Sequence, residues 1–463
     1  MANEQAKFLE GSLLRHVTVM SLTASVGLMA VFAVDFVDMI FISMLGKAEL
    51  AAAIGYAGAI LFFTSSFGIG MAISAGALVA RALGEGNEDL AQRRATNSLI
   101  FGVLFGAIFA ALVWMNIPTL AALMGASGET LDLAVGYLRI IIPSLPLLLV
   151  GMVGGAILRA HGNARASMMA TLWGGAVNAV LDPILIFGLD LELTGAALAS
   201  VAARFTIGFV ALWPIFRDLG GLTRPTMAGL SEDIRPVLTI AFPAILTQFA
   251  TPLGQAYVTR SMAEYGEAAV AGMAVIGRLT PVAFGVLFAL SGAVGPIIGQ
   301  NFGAGLNDRV RGTFRDALIF TAVVVVGVAA ILFGLRGPIA ALFEAEGITR
   351  ELIFLFCGPL ALAFFFNGVI FVANAAFNNL GHPYYSTWTN WGRHTLGTIP
   401  FVLVFGAWLG APGVLIGQAV GGAVFAAVAV IMVFRVFRAE AAGPGDAPFK
   451  RHAREFALFH RHR

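Results

Sequence analysis

Twelve long apolar stretches, separated by short charged or Gly- and Pro-containing segments, dominate this chain of 463 residues. Each is at least as long as the roughly 20 residues that a helix needs to cross a bilayer. Six lie at about 14–45, 50–80, 95–115, 133–158, 166–189 and 194–216, and six more at about 236–263, 267–300, 313–335, 350–379, 384–408 and 411–437. Only 12% of the residues are charged, against about 25% in soluble proteins. The pattern predicts an all-α membrane protein with twelve transmembrane helices, and it excludes a water-soluble fold.

A polar segment at 217–235 divides the stretches into two sets of six. We predict an N-terminal six-helix lobe at 1–216, a cytoplasmic linker at 217–235, a C-terminal lobe at 236–437 and a basic cytoplasmic tail at 438–463. Arg and Lys are concentrated in the loops that this arrangement places on one side, which predicts that both termini lie in the cytoplasm. We therefore expect a multi-pass protein of the inner membrane. The net charge of +2 argues against a nucleic-acid partner.

The two halves resemble each other at a constant offset along the chain, which aligns Gly84 with Gly303 and Gly162 with Gly381. Six spans separate equivalent positions, so both copies enter the membrane from the same side, as in a parallel repeat. The repeat predicts two pseudo-symmetric six-helix bundles that enclose a central cavity.

Acidic residues inside hydrocarbon are costly, and each is a functional candidate for that reason. Asp35 and Asp38 lie in the first span and Asp182 lies in the fifth. The aligned positions of the second half are uncharged: Gly254, Tyr257 and Phe401. The sequence therefore restricts the membrane-embedded acids to the N-terminal lobe.

Two of these acids are predicted to lie at one depth. Asp38 precedes Gly46 by eight residues and Asp182 precedes Asp190 by eight, which places both about 12 Å below the outer surface at 1.5 Å per residue. Three neighbours extend the site: Asn178, one helical turn from Asp182; Ser200, which returns to this depth in the sixth span; and Pro183, which should kink the helix and free the Ala179 carbonyl. We predict an oxygen-rich pocket in the N-terminal lobe.

The predicted pocket suits a coupling cation, because apolar surroundings disfavour a charged carboxyl group and promote proton binding and release. The same oxygens of Asp38, Asn178, Asp182 and Ser200 could instead hold Na⁺, and the sequence leaves both open. The alternative is that these acids only join helices. We expect no cofactor: GKA at 46–48 is not a phosphate-binding loop, and no His/carboxylate metal spacing occurs. The chain is therefore not expected to be an enzyme.

Other polar residues within the spans have two interpretations. Arg204, Arg278 and Arg393 are interpreted mainly as structural partners of polar groups, although they could attract an anionic substrate. Candidate lining residues of a substrate cavity are Gln248, Gln255, Met273, Asn367 and Asn374. Residues at such spacing are more often packed in the core or facing lipid.

VDMIFISMLG at 37–46 and NAVLDPILIFG at 178–188 resemble helices of the multidrug and toxic compound extrusion (MATE) family. This resemblance implies two six-helix lobes in a V shape, alternating access, and export of drugs or amphiphilic compounds against an inward flow of H⁺ or Na⁺. It is strongest to the DinF-like branch, whose N-lobe coupling positions fall on Asp38, Asn178, Asp182 and Ser200. Ser200 departs from the Thr often found there but keeps the hydroxyl.

We therefore expect a monomeric, proton-coupled antiporter that is embedded in the lipid bilayer and exports amphiphilic or cationic small molecules. The nearest alternative is a Na⁺-coupled drug antiporter that uses the same residues. A lipid-linked sugar flippase is a further alternative that the membrane arginines would suit. A membrane-embedded transferase and a passive channel are weaker, because neither a His/Asp catalytic set nor a ring of repeated polar residues occurs.

Overall fold

A computed structural model describes residues 6–441, apart from the side chains of Ala48, Glu440 and Ala441. All regular structure in this part of the chain is helical. The predicted all-α fold is confirmed. The basic residues of the predicted tail, from Lys450 to Arg463, lie outside the described residues.

Eight helices make up the first half: α1 (Leu13–Met44), α2 (Ala48–Gly84), α3 (Glu88–Met115), α4 (Ile117–Leu123), α5 (Gly128–Ile141), α6 (Leu145–Ala160), α7 (Ala164–Pro183) and α8 (Glu192–Asp218). A 3-10 turn at Ile142–Ser144 joins α5 to α6, and a π-helical turn at Ile184–Gly188 follows α7. The helices α5 and α6 together form the predicted fourth span.

Eight helices also make up the described part of the second half: α9 (Met227–Ala263), α10 (Glu267–Gly303), α11 (Asn307–Leu342), α12 (Gly347–Leu355), α13 (Ala361–Asn379), α14 (Pro383–His394), α15 (Ile399–Leu409) and α16 (Ala411–Ala441). A π-helical turn at Phe356–Leu360 joins α12 to α13. Since α9 begins at Met227, the last nine residues of the predicted linker, 227–235, are helical.

The internal repeat extends to the helix boundaries. Helices α2, α3, α5, α7 and α8 begin at positions 48, 88, 128, 164 and 192, and α10, α11, α12, α14 and α16 begin at the aligned positions of the second half, 267, 307, 347, 383 and 411. The turns repeat as well, because Gly162 and Gly381 both adopt positive φ, of 73° and 85°. Glycine reaches this conformation without the steric penalty that a Cβ atom would bring.

Eleven helical segments of residues 6–441 are long and apolar enough to cross a membrane. They match eleven of the twelve predicted spans. The remaining one, 384–408, consists of α14 and α15, which are separated by the non-helical residues Thr395–Thr398. Tight packing accompanies the break, because a Cβ atom on Gly421 of α16 would overlap the Gly397 carbonyl group.

The chain forms two compact units, and the division falls within α1 and α9. Lys7 and Val26–Ile245 belong to the first unit, and Phe8–Ser25 and the chain from Leu246 belong to the second. The domain boundaries given above, at 216 and 236, stay predictions.

The start of α9 is fixed to α3 within the first unit. Asp233 is only 2% exposed, and its carboxyl oxygens accept hydrogen bonds from Asn97 Nδ2 at 2.7 Å and from Arg93 Nη2 at 3.2 Å. A buried carboxylate needs such partners to offset its lost hydration. This network explains why the end of the predicted linker belongs to the helical fold.

Candidate functional site: a buried acid pair in the first unit

Asn178 joins two acidic residues of the first unit. Its Nδ2 atom lies 3.1 and 3.3 Å from the two carboxyl oxygens of Asp38, and it also donates to Oδ2 of Asp182. Asp182 is fully buried and Asn178 is 4% exposed, whereas Asp38 is half-buried. The structure thus brings together three of the predicted site residues.

The two carboxyl groups also lie within hydrogen-bonding reach of each other. Asp182 Oδ1 is buried and receives no N–H or O–H donor from the described residues. Ionised carboxylates only accept hydrogen bonds, so a bond between two carboxyl groups requires a proton on one of them. A proton on either carboxyl group would supply such a donor.

Helical spacing positions the pair. Asn178 and Asp182 are four residues apart on α7, which aligns their side chains on one face. Asp38 reaches them from α1. The depth that the sequence predicts for Asp38 and Asp182 is consistent with their contact.

A change in helix type follows Asp182 immediately. Pro183 has no N–H to donate to the Ala179 carbonyl group, and it ends α7. The π-helical turn that follows closes with a hydrogen bond of 2.9 Å from Leu189 N to Ile184 O. The predicted helix irregularity at Pro183 is thus a change from an α-helix to a π-helical turn. Such turns are frequent at functional sites.

A buried apolar layer covers the pair on the side of the helix ends. Ile42 and Ile186 follow Asp38 and Asp182 by four residues each, are 1% and 0% exposed, and belong to one apolar cluster with Leu50 and Leu193. This layer excludes water from one side of the carboxyl groups. Hydrogen bonds and the interactions between charges are stronger where water is excluded.

Ser200 is not joined to the acid pair. It is half-buried on α8, and its side chain lies close to the hydroxyl group of Tyr137 of α5. Tyr137 packs against the same apolar cluster as Ile42. Our sequence reasoning missed Tyr137, although a tyrosine within an apolar span is itself a signal, because its hydroxyl group needs a partner.

Asp35 also stays apart from the cluster. It lies one turn before Asp38 on α1, its side chain is exposed, and it makes no hydrogen bond within the described part of the chain. No group of three or more His, Cys, Asp or Glu among residues 6–441 is arranged to hold a metal ion.

The arginines of the predicted spans differ in their surroundings. Arg204 Nη1 donates to the Ile141 carbonyl group at 3.0 Å and to Ser144 Oγ at 2.9 Å, both in the first unit. Arg278 of α10 is exposed. Arg393 of α14 is half-buried and makes no side-chain hydrogen bond or ion pair with any described residue. Structural pairing therefore accounts for Arg204 alone.

The residues predicted to line a substrate cavity lie in the second unit. Gln248 and Asn367 are half-buried, and Met273 is 6% exposed. Asn374 Oδ1 accepts a hydrogen bond of 3.1 Å from Asn390 Nδ2, and Gln255 Oε1 accepts one of 3.4 Å from Gln418 Nε2. Their role in substrate binding stays a prediction.

The fold defines a polytopic helical membrane protein built from an internal repeat, with a buried acid pair in its first half. The family model described as MatE matches residues 24–184 and 243–401, two segments that begin at aligned positions of the repeat. The matches cover more than half of the chain, which therefore belongs to the MatE family. The predicted resemblance to the MATE family is confirmed, whereas the DinF-like branch stays a prediction.

Individual relatives align along most of their lengths. An FAD transporter of Shewanella oneidensis is 28% identical over 412 residues, which cover 86% of this chain and 89% of the relative. The multidrug export protein MepA of Staphylococcus aureus is 24% identical over 441 residues, which cover 94% of this chain and 96% of the relative.

Solved structures share the fold. A mutant of the Vibrio cholerae MATE transporter VcmN has a TM-score of 0.88 at 22% identity, with 92% of this chain and 97% of that chain covered. A MOP superfamily transporter from Pyrococcus furiosus has a TM-score of 0.87 at 21% identity, with 95% and 99% covered. The predicted membrane fold of two pseudo-symmetric bundles is confirmed by this likeness.

Proposed function

We propose that this protein is a secondary active exporter that couples the outward transport of small organic molecules to inward proton flow. The exporter acts as a monomer in the inner membrane, with both termini in the cytoplasm. Asp38 and Asp182 bind the coupling proton, and Asn178 holds the two carboxyl groups together. No cofactor takes part.

One observation carries this proposal. Two carboxyl groups share an amide donor in a water-poor site, and one buried oxygen, Asp182 Oδ1, has no N–H or O–H donor among the described residues. A proton shared by the carboxyl groups would supply that donor. Its release would leave two adjacent negative charges, which repel each other strongly where water is excluded. Protonation thus favours different arrangements of α1 and α7, as coupling requires.

Na⁺ is the second candidate for the coupling ion. Asp182 Oδ1 is an available oxygen ligand for it. Against Na⁺, Asn178 presents its N–H group to both carboxyl groups, and Ser200 lies beside Tyr137 rather than beside the acid pair. In this arrangement a Na⁺ ion would lack two of its four predicted oxygen ligands.

The relatives support organic substrates. The names of the FAD transporter and of the multidrug export protein MepA both describe the movement of organic molecules. We infer export of amphiphilic small molecules, cationic ones among them, rather than flipping of lipid-linked sugars. The location of the acid pair in the first half favours the DinF-like branch, through the resemblance of NAVLDPILIFG at 178–188.

The test is efflux of ethidium from proteoliposomes that contain the full chain. A pH gradient and a Na⁺ gradient are imposed separately on the wild type, Asp38→Asn and Asp182→Asn. Asp190→Asn is the matched control, because Asp190 is an exposed loop residue just after the π-helical turn. The variants' thermal unfolding midpoints show whether they fold.

We expect efflux under the pH gradient alone, with loss of efflux in Asp38→Asn and Asp182→Asn but not in Asp190→Asn. Efflux driven by a Na⁺ gradient at constant pH would show that the coupling ion is Na⁺ and not the proton. Wild-type efflux in both site variants would overturn the assignment of the coupling site.

A further inference from the structure

His394, at the end of α14, is a buried polar residue without a partner. It is 6% exposed, and neither ring nitrogen has a hydrogen-bond partner among residues 6–441. The ring lies against α9, because a Cβ atom on Gly254 would come within 2.1 Å of His394 Nδ1. A buried imidazole whose nitrogens are both unpaired is costly. This histidine is therefore a candidate to contact a bound ligand.

The neighbouring Arg393 also lacks a partner. The half-buried side chain makes no hydrogen bond or ion pair with any described residue. Its Nε atom would lie 3.9 Å from a Cβ atom on Gly422, which places it against α16. No Asp or Glu occurs in α13, α14 or α15, in α9 from Leu246 onward, or in α16 before residue 440. The surrounding helices therefore offer this cation no carboxylate.

Two amide side chains lie at the same helix junction. Gln255 follows Gly254 on α9, and Gln418 precedes Gly422 by one turn on α16. The two are joined by a hydrogen bond of 3.4 Å between Gln418 Nε2 and Gln255 Oε1. The helices α9 and α16 therefore meet at the level where α14 ends, and His394 and Arg393 lie on the two walls of this junction.

The junction coincides with a break in a membrane helix. His394 is eleven residues after Pro383, the start of α14, which corresponds to a rise of about 17 Å, near the middle of a bilayer core. The chain is then non-helical until Ile399. Irregular backbone at this depth is tolerated only inside protein or beside a cavity, and broken helices often form substrate sites in transporters.

The equivalent helix contact carries different polar groups in the two halves of the repeat. In the alignment of the two halves, Gly254 falls on Asp35 and His394 falls on Gly175. In the first unit the polar group is an acid on the first helix of the repeat, and in the second unit it is a base on the fifth span. At this helix contact the second half therefore has a histidine and an adjacent arginine on its fifth span, whereas the first half has a carboxyl group on its first helix.

We propose that Arg393 and His394, with Gln255 and Gln418, form an anion-binding subsite for a carboxylate or phosphate group of the transported molecule. The guanidinium group can bind such a group through two parallel hydrogen bonds. The imidazole supplies a further N–H donor, and the amides supply others. This subsite rests on the proposed transport function and extends its substrates to molecules with an anionic group.

The test compares ligands that differ only in the anionic group. FMN carries a phosphate that riboflavin lacks, and rhodamine 110 carries a free carboxylate where rhodamine 123 carries a methyl ester. Binding of each is measured by fluorescence titration of the full chain in nanodiscs. The variants are Arg393→Gln, Arg393→Lys and His394→Gln. Arg435→Gln is the matched control, because Arg435 is an exposed arginine near the end of α16 in the same unit.

We expect the wild type to bind FMN or rhodamine 110 more tightly than its partner compound. Arg393→Gln should weaken that binding about 10- to 100-fold, as expected for loss of a charge-assisted hydrogen bond, and leave the partner compound unaffected. Arg393→Lys should restore part of the loss, His394→Gln should cause a smaller loss, and Arg435→Gln should cause none.

The proposal is wrong if neither anionic compound binds better than its partner, or if Arg393→Gln weakens both members of a pair alike. Ethidium efflux under a pH gradient separates this result from failure of the transport function. Continued efflux in Arg393→Gln would show that the variant is folded and that transport is intact.

Discussion

The side-chain amide of Asn178 donates a hydrogen bond to the carboxyl group of Asp182, one helical turn further along α7. The same nitrogen lies 3.1 Å from a carboxyl oxygen of Asp38 on α1. Asn178 therefore connects the two helices that carry the acid pair, and a change in the charge of either carboxyl group alters its hydrogen bonds.

Asn178→Ala should reduce proton-driven efflux by about 10-fold or more. A hydrogen bond to a charged group contributes about 1.5–3 kcal/mol, which corresponds to roughly 10- to 100-fold in an equilibrium. The measurement is the initial rate of ethidium efflux from proteoliposomes under a pH gradient. Asn116→Ala is the control, because Asn116 is an exposed residue at the end of α3 that bonds only to its own helix, through Leu112 O. Equal rates for Asn178→Ala and the wild type would contradict a bridging role.

The fold could be predicted from the sequence because bilayer thickness fixes the length of each apolar span. The break between α14 and α15 was not predicted. It lies at Thr395–Thr398, directly before α15, where Pro400 cannot donate to the Leu396 carbonyl group, and it accompanies close packing of Gly397 on Gly421 of α16. Such a contact depends on tertiary structure, and hydropathy does not report it.

The depth of the acid pair could be predicted, but its neighbours could only partly be predicted. Counting residues at a constant rise gives the position of a side chain along a helix, and this placed Asp38 and Asp182 at one level. The direction in which a side chain points around the helix depends on packing. For this reason Ser200, which the count places at the level of the acids, lies beside Tyr137 and makes no hydrogen bond with them.

Gly195→Ala should destabilise the first unit and slow efflux. A Cβ atom at this position on α8 would lie 2.7 Å from the carbonyl carbon of Leu185 and 2.8 Å from its oxygen, in the π-helical turn after Asp182. Backbone atoms cannot move aside as a flexible side chain can, so we expect a loss of about 1–3 kcal/mol. The thermal unfolding midpoint in detergent, followed by tryptophan fluorescence, measures it.

Gly58→Ala is the matched control for this substitution. Gly58 lies inside α2, and an added Cβ atom would meet nothing within 4 Å. The substitution should raise stability by about 0.5–1 kcal/mol, because alanine loses less conformational entropy in a helix. If both variants unfold at the same temperature, close packing at Gly195 is not a constraint.

Arg204→Gln should lower the stability of the first unit by about 1.5–3 kcal/mol. The 3-10 turn directs Leu145 N to Ile142 O, so that the Ile141 carbonyl group loses its usual helical donor. Two side chains replace that donor: Ser144 Oγ at 2.7 Å and Arg204 Nη1 at 3.0 Å. Thermal unfolding in detergent measures the loss, with the exposed Arg278→Gln as the control. A midpoint equal to that of the control would show that Arg204 has no structural role.

His161→Gln should make stability less sensitive to acid. His161 is 4% exposed in the loop between α6 and α7, and its Nδ1 atom lies 2.9 Å from Ile157 O. Burial lowers the pKa of His161 below its ordinary value of 6.5, and the positive charge of Lys7 contributes in the same direction. Below about pH 6.5 His161 is protonated in the unfolded chain but still largely neutral in the folded one, so the unfolded chain binds more protons. Wild-type stability therefore falls as the pH drops from 6.5 towards the folded-state pKa of His161.

Glutamine cannot acquire this charge, so the unfolding midpoint of His161→Gln should fall less than that of the wild type between about pH 7.5 and about pH 5.5. His16→Gln is the matched control, because it removes a half-buried histidine that bonds to Glu10 O, and it should keep the wild-type response. A His161→Gln midpoint that falls as steeply as the wild-type midpoint would assign the acid sensitivity to other groups.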